Sequence, residues 1–168
     1  MERATSLVVS CLSIVFLFAG CQNSSSPTEP PTLPPDTRLQ TVIEAQNTGI
    51  PQRRGEIVLT EDRWQEVWAE IHAGSGTPGM PAPTIDFSTE MVILAAMGDE
   101  PDSCWKIQIT DARSEVVKIS VSVAETRPPL SCACPAVVIQ PVHVVRAPRE
   151  ELPGEFSFRR SVIGAGCG

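Results

Sequence analysis

The residues best suited to chemistry in this 168-residue chain are its cysteines. Cys132 and Cys134 stand one residue apart in "LSCACPAVV", with Cys104 and Cys167 farther off. Structural zinc is held by thiolate pairs in C-x2–4-C spacing, which C-x-C does not match. Copper(I) accepts soft thiolates more freely, with His72 or His143 as further candidate ligands. Redox centres favour C-x-x-C at a helix start, and none is present. The acidic turn "GDEPD" offers Asp99, Glu100 and Asp102, but it lacks the D-x-D-x-D-G spacing of a calcium loop. No G-x-S-x-G, H-E-x-x-H or phosphate-binding glycine loop occurs. The reading is therefore of a chain with no catalytic residues, no metal and no cofactor, in which the acidic turn is a candidate interaction loop.

Whether the thiols pair depends on the compartment. Residues 7–18 form an apolar run too short to span a bilayer, which takes about 20 residues. The run suits a secretory signal and ends in "LFAGC", which resembles the lipobox of bacterial lipoproteins. The resemblance implies a signal over 1–20, lipidation of Cys21, and an anchored rather than spanning protein. Residues 21–38 are rich in serine and proline and read as an extended tether. Residue 22 is Gln and not Asp, which among lipoproteins points to the outer membrane of a two-membraned cell.

Outside the cytoplasm an even set of cysteines reads as a disulfide framework. Cys104, Cys132, Cys134 and Cys167 are the candidates. On one strand, residues i and i+2 lie about 6.6 Å apart, whereas a disulfide favours Cα atoms about 5.5–6 Å apart with convergent Cβ vectors. A bond between Cys132 and Cys134 is thus disfavoured. Cys104–Cys132 with Cys134–Cys167 is preferred, and the crossed pairing is the close alternative.

The remaining elements must position these residues. One globular domain is expected over 39–168. Short strands are expected at 42–45 and 56–59. Thr60 is a sound N-cap, with Glu61 and Asp62 in the favoured first turn. Trp64, Val67, Trp68 and Ile71 recur at helical spacing, which predicts an amphipathic helix over about 61–73. The run Met91–Met97 suits a strand buried on both faces. "CWKIQITDA" and "VVKISVSVAET" alternate, and the short "DARSE" predicts a hairpin between them. "AVVIQPVHVVRAP" reads as a strand pair or an interrupted strand, with Pro141 marking an edge or bulge. "EFSFRR" closes the sheet. The fold class is α+β: a mainly antiparallel sheet with one packed helix, a two-sheet sandwich being the competing form.

"LTEDRWQEVWAEIH", "PTIDFSTEMVILAAMG" and "PVHVVRAP" follow one another in an order that resembles the C-terminal domain of the protease complex subunit PrcB family. Where that family has a Gly-Gly-Tyr turn, this chain has "GDEPDSCW". The resemblance implies a lipid-anchored, non-catalytic accessory subunit in the cell envelope, with another envelope protein, plausibly a secreted protease, as partner. A small-ligand or metal-binding lipoprotein, and an inhibitor-like module acting through loop 74–84, are the alternatives. The net charge of −7 and the lack of a basic stripe argue against nucleic acid.

Overall fold

The structure, a computed structural model, describes residues 39–74, 76, 79–115, 118–149, 155–164 and 166. The expected signal, Cys21, the tether up to residue 38 and Cys167 lie outside the described residues.

Among the described residues, seven strands and one helix occur in the order β1 (Gln40–Ala45), β2 (Arg54–Val58), α1 (Glu61–Ala73), β3 (Glu90–Ala96), β4 (Lys106–Ser114), β5 (Lys118–Arg127), β6 (Val142–Pro148) and β7 (Glu155–Gly164). They build a four-stranded sheet, β1-β6-β3-β2, and a three-stranded sheet, β4-β5-β7. The expected α+β class holds, and it takes the two-sheet form. The reason lies in the middle strands. Along β3, Val92, Leu94 and Ala96 face the helix, while Met91, Ile93 and Ala95 face the second sheet. A strand with both faces buried must read as a continuous apolar run.

Helix α1 forms as its sequence dictates. Thr60 is extended and its hydroxyl accepts the N–H of Arg63. The stripe Trp64, Val67, Trp68 and Ile71 is buried against Val92, Leu94, Val142 and Val144. Both indole N–H groups, which need partners when buried, donate into the following loop. Trp64 reaches the carbonyl of Pro83 at 3.0 Å and Trp68 that of Met80 at 2.9 Å.

The second sheet alternates as expected. Ile107 and Ile109 of β4 and Ile119, Val121 and Val123 of β5 fill the layer between the sheets. Strand β4 runs on to Ser114, so most of "DARSE" is strand and the turn is shorter than predicted, closed by Glu115 N–H to the Lys118 carbonyl at 2.7 Å. A bulge between Ile109 and Asp111 lets both halves of β4 keep their apolar residues inward.

The sheets are mainly antiparallel as expected, with one exception, and two further expectations are corrected. Strand β7 pairs parallel to β5, so the second sheet is mixed. Residues 136–140 form no strand beyond a single bridge between Glu100 and Ile139. Pro135 and Pro141 flank this stretch and donate no N–H at either end, which leaves little room for a ladder. Pro141 marks neither an edge nor a bulge: it precedes β6, an interior strand, and its carbonyl accepts the N–H of Met97 at 3.0 Å.

Glycines serve at two close approaches. Gly98 has φ +83°, which favours glycine, and a Cβ there would meet the Arg53 nitrogen at 2.9 Å. Gly55 on β2 lies under the ring of Phe158 on β7, where a Cβ would come within 2.5 Å of the ring.

Candidate functional site at one end of the second sheet

The registers bring three chain positions to the same end of the second sheet. Lys106 pairs with Thr126 across the antiparallel β4–β5 ladder, and Arg127 pairs with Gly164 across the parallel β5–β7 ladder. Trp105 therefore stands beside Arg127. The irregular segment after β5 folds over this end, and a cavity of about 820 Å³ opens between them. Its walls include Trp105, Arg127, Pro128, Leu130 and Val162.

The polar groups here are held in series. Both carboxylate oxygens of Asp102 are engaged: Oδ1 accepts the Cys104 N–H at 3.0 Å, and Oδ2 accepts the Trp105 indole N–H at 3.2 Å. The Arg127 guanidinium lies over the Trp105 ring, 5.0 Å from its centroid. Arg127 makes no ion pair among the described residues. Gln46 braces the loop by donating to the carbonyls of Ser103 and Trp105.

A disulfide joins Cys104 to Cys134, with Cα atoms 5.8 Å apart. The preferred Cys104–Cys132 pairing is corrected to the crossed alternative, because Cys134 and not Cys132 approaches the loop before β4. Backbone contacts around it explain the choice: Ser103 N–H donates to the Pro135 carbonyl at 3.2 Å, which places residue 134 against 104. Cys132 is also disulfide-bonded. Asp102, Cys104 and Cys134 place ligand-type atoms within 4.8 Å of one another. Metals bind thiolate, however, and these two sulfurs are spent on each other.

The carboxylates of the acidic turn are tied to neighbouring groups of the protein. Asp99 accepts from the Gln140 amide at 2.8 Å. Glu100 pairs through its backbone with Ile139 and through its carboxylate with Arg53 at 3.5 Å. Burial raises the Glu100 pKa, against the pull of Arg53. All three carboxylates of the proposed interaction loop thus have partners within the protein.

Two arrangements escaped the sequence reading. Glu125 is 2% exposed, on the inward face of β5. Arg53 donates to both its oxygens at 2.7 Å and Arg160 to one at 2.5 Å. Arg160 also donates to the carbonyls of Arg54 and Ala96, which lie on the other sheet. Burial pushes the Glu125 carboxyl up, but the hydrogen bonds and charges of Arg160 and Arg53 outweigh it and the pKa is lowered. The signal was available: Val117, Ile119, Val121 and Val123 set a phase that continues to 125. The second arrangement is His143, which faces the second sheet, opposite to Val142 and Val144. It is buried, its Nδ1 accepts the backbone N–H of Ile109 at 2.9 Å, and its Nε2 lies 3.1 Å from the Thr41 hydroxyl. His72, buried at the end of α1, places Nδ1 2.9 Å from the Trp68 carbonyl.

Comparison with known proteins finds the chain 26% identical over 139 residues to large ribosomal subunit protein eL28 of Trypanosoma cruzi, covering 76% of this chain and 94% of the relative. No family model matches the chain, and no solved structure matches it significantly. This similarity overturns the expected relationship to PrcB-like lipoproteins: the matched protein is named for the ribosome, and the match runs along most of both chains. It likewise overturns the lipid-anchored accessory role, the ligand-binding and inhibitor alternatives, the envelope address, the protease partner and the exclusion of nucleic acid. The motifs behind the earlier resemblance are fold signals. An apolar helix stripe followed by a doubly buried strand is the pattern that a helix packed on a central strand produces. The relative bears a ribosomal protein's name and not an enzyme's, in agreement with the expected lack of catalysis. No helix among the described residues is long and apolar enough to cross a membrane.

Proposed function

We propose that this chain is a non-catalytic structural protein of a large ribosomal subunit, seated there through the outer face of its second sheet. The similarity to eL28 across 94% of that protein carries the reading. The distribution of charge supplies the geometric support. Strand alternation puts Lys106, Arg113, Lys118 and Arg159 on the outer face, with Asp111 and Glu155 as its acids. The chain as a whole carries −7. Between these cations lies Ser122, whose hydroxyl suits a phosphate or ribose contact, while Thr110 and Ser161 donate to the carbonyls of Ser122 and Val123 and Ser157 meets Ser120. Lys106 and Arg159 make no ion pair among the described residues, whereas Arg113 is paired with Asp111 and Lys118 with Glu115.

Binding of the purified chain to purified large subunits tests this reading. Reversing both unpaired cations, Lys106→Glu with Arg159→Glu, is expected to weaken binding at least tenfold. Affinity should fall with salt at a slope no steeper than about −3.6, the limit for four phosphate contacts on duplex RNA treated like B-DNA. Equal binding to small subunits, or an affinity indifferent to both the variant and salt, would refute it.

A further inference from the structure

We propose that the cavity beside Trp105 takes one unpaired nucleotide of RNA, its base stacked on the free face of the Arg127 guanidinium and its phosphate on the guanidinium edge. This rests on the ribosomal reading above and adds a specific pocket to it. Each part of the pocket supports that occupant. Asp102 fixes the Trp105 ring through the indole N–H, and the ring supports Arg127 from one side. A guanidinium clamped this way offers two recognition elements at once. Its open face stacks on a base, and its in-plane N–H groups donate to phosphate oxygens. Arg127 has no ion pair among the described residues, so its charge is available to an anion. Asp102 is the carboxylate in the wall, and both its oxygens already accept hydrogen bonds.

The remaining wall is apolar and accessible. Leu130 is fully exposed and Val162 is 64% exposed, beside Pro128 and Pro129. A volume of about 820 Å³ falls in the range of small-molecule sites and is ample for one nucleotide. Stacking on a side chain needs a base that is not held in a duplex, so the occupant is single-stranded RNA.

The test is a titration of the full, disulfide-intact, isotope-labelled chain with a short single-stranded oligoribonucleotide of mixed sequence, read by nuclear magnetic resonance. The Trp105 indole and Arg127 side-chain resonances should shift saturably. Arg127→Lys keeps the charge but loses the plane, and should weaken binding about tenfold, the scale of one base stack. Val162→Asp, at an exposed position in the pocket wall, should weaken it similarly. Unmoved Trp105 and Arg127 resonances, or equal affinities in the variants, overturn the pocket. So does an acidic peptide that shifts these resonances where RNA does not. Binding to large subunits is measured beside it: subunit binding with an unresponsive pocket removes this inference alone. A responsive pocket without subunit binding removes the ribosomal reading and leaves the nucleotide site.

Discussion

His143 on β6 accepts the backbone N–H of Ile109 on β4 at 2.9 Å, and so one imidazole joins the two sheets. The N–H belongs to the bulged stretch of β4, where the ladder to β5 shifts register. Because a backbone N–H can only donate, Nδ1 must be unprotonated, and Nε2–H then points at the Thr41 hydroxyl. His143→Leu should cost about 1–3 kcal/mol, the penalty for leaving a buried donor unpaired, as measured by urea unfolding. A loss near zero would mean that water or another acceptor replaces the ring.

The same residue sets a pH dependence. Burial lowers the His143 pKa from 6.5, with Glu44 opposing weakly. The unfolded chain therefore takes up a proton at a pH where the folded chain does not. The stability from this group is complete above about pH 6.5 and is lost as pH falls through the folded pKa. Thermal unfolding should show a falling midpoint below pH 6.5 in the native protein, and a weaker trend in His143→Leu. Parallel pH curves would contradict the assignment.

The Glu125 clamp makes a sharper claim. Removing one partner of a buried ion pair leaves an uncompensated charge and costs about 3–5 kcal/mol. Glu125→Leu should therefore destabilise strongly, and Glu125→Leu with Arg160→Met should recover part of the loss. Since the folded carboxyl pKa is lowered, its contribution is present above the ordinary value of 4.5 and disappears as pH falls through the folded one. A double variant no better than the single one in denaturant unfolding would show that Arg160 is not held by Glu125.

Phe158 resting on Gly55 ties the open edges of the two sheets together. Gly55→Ala places a methyl group inside the ring and should cost about 1–3 kcal/mol, as overpacking does. Pairing it with Phe158→Leu should relieve the clash. The double variant is expected to unfold at higher denaturant than Gly55→Ala alone, and failure to do so would place the strain elsewhere.

These features differ in how visibly they stand in the sequence. Helix α1 was legible to its ends because three local signals agree: a capping hydroxyl, first-turn acids and an apolar stripe. Strands β3, β4 and β5 were legible from continuous or alternating apolar residues. The parallel β5–β7 pairing was not, since partner and direction are set by which layer needs covering and alternation carries no such information. The cysteine pairing turned on a backbone contact between Ser103 and Pro135, two residues with no pattern linking them. The place of Arg127 over Trp105 stayed hidden for a similar reason: it arises where three strand ends meet, and only the registers bring them together. Glu125 could have been found, as a carboxylate in an apolar phase calls for a buried cation.

Sedimentation of a native host lysate through a density gradient tests the central claim most directly. With the endogenous chain followed by antibody, a structural protein of the large subunit should migrate with that subunit, stay with it when particles are split, and appear there in near-unit ratio to its other proteins. A chain found at the top of the gradient, or sedimenting with membranes, would contradict the ribosomal reading.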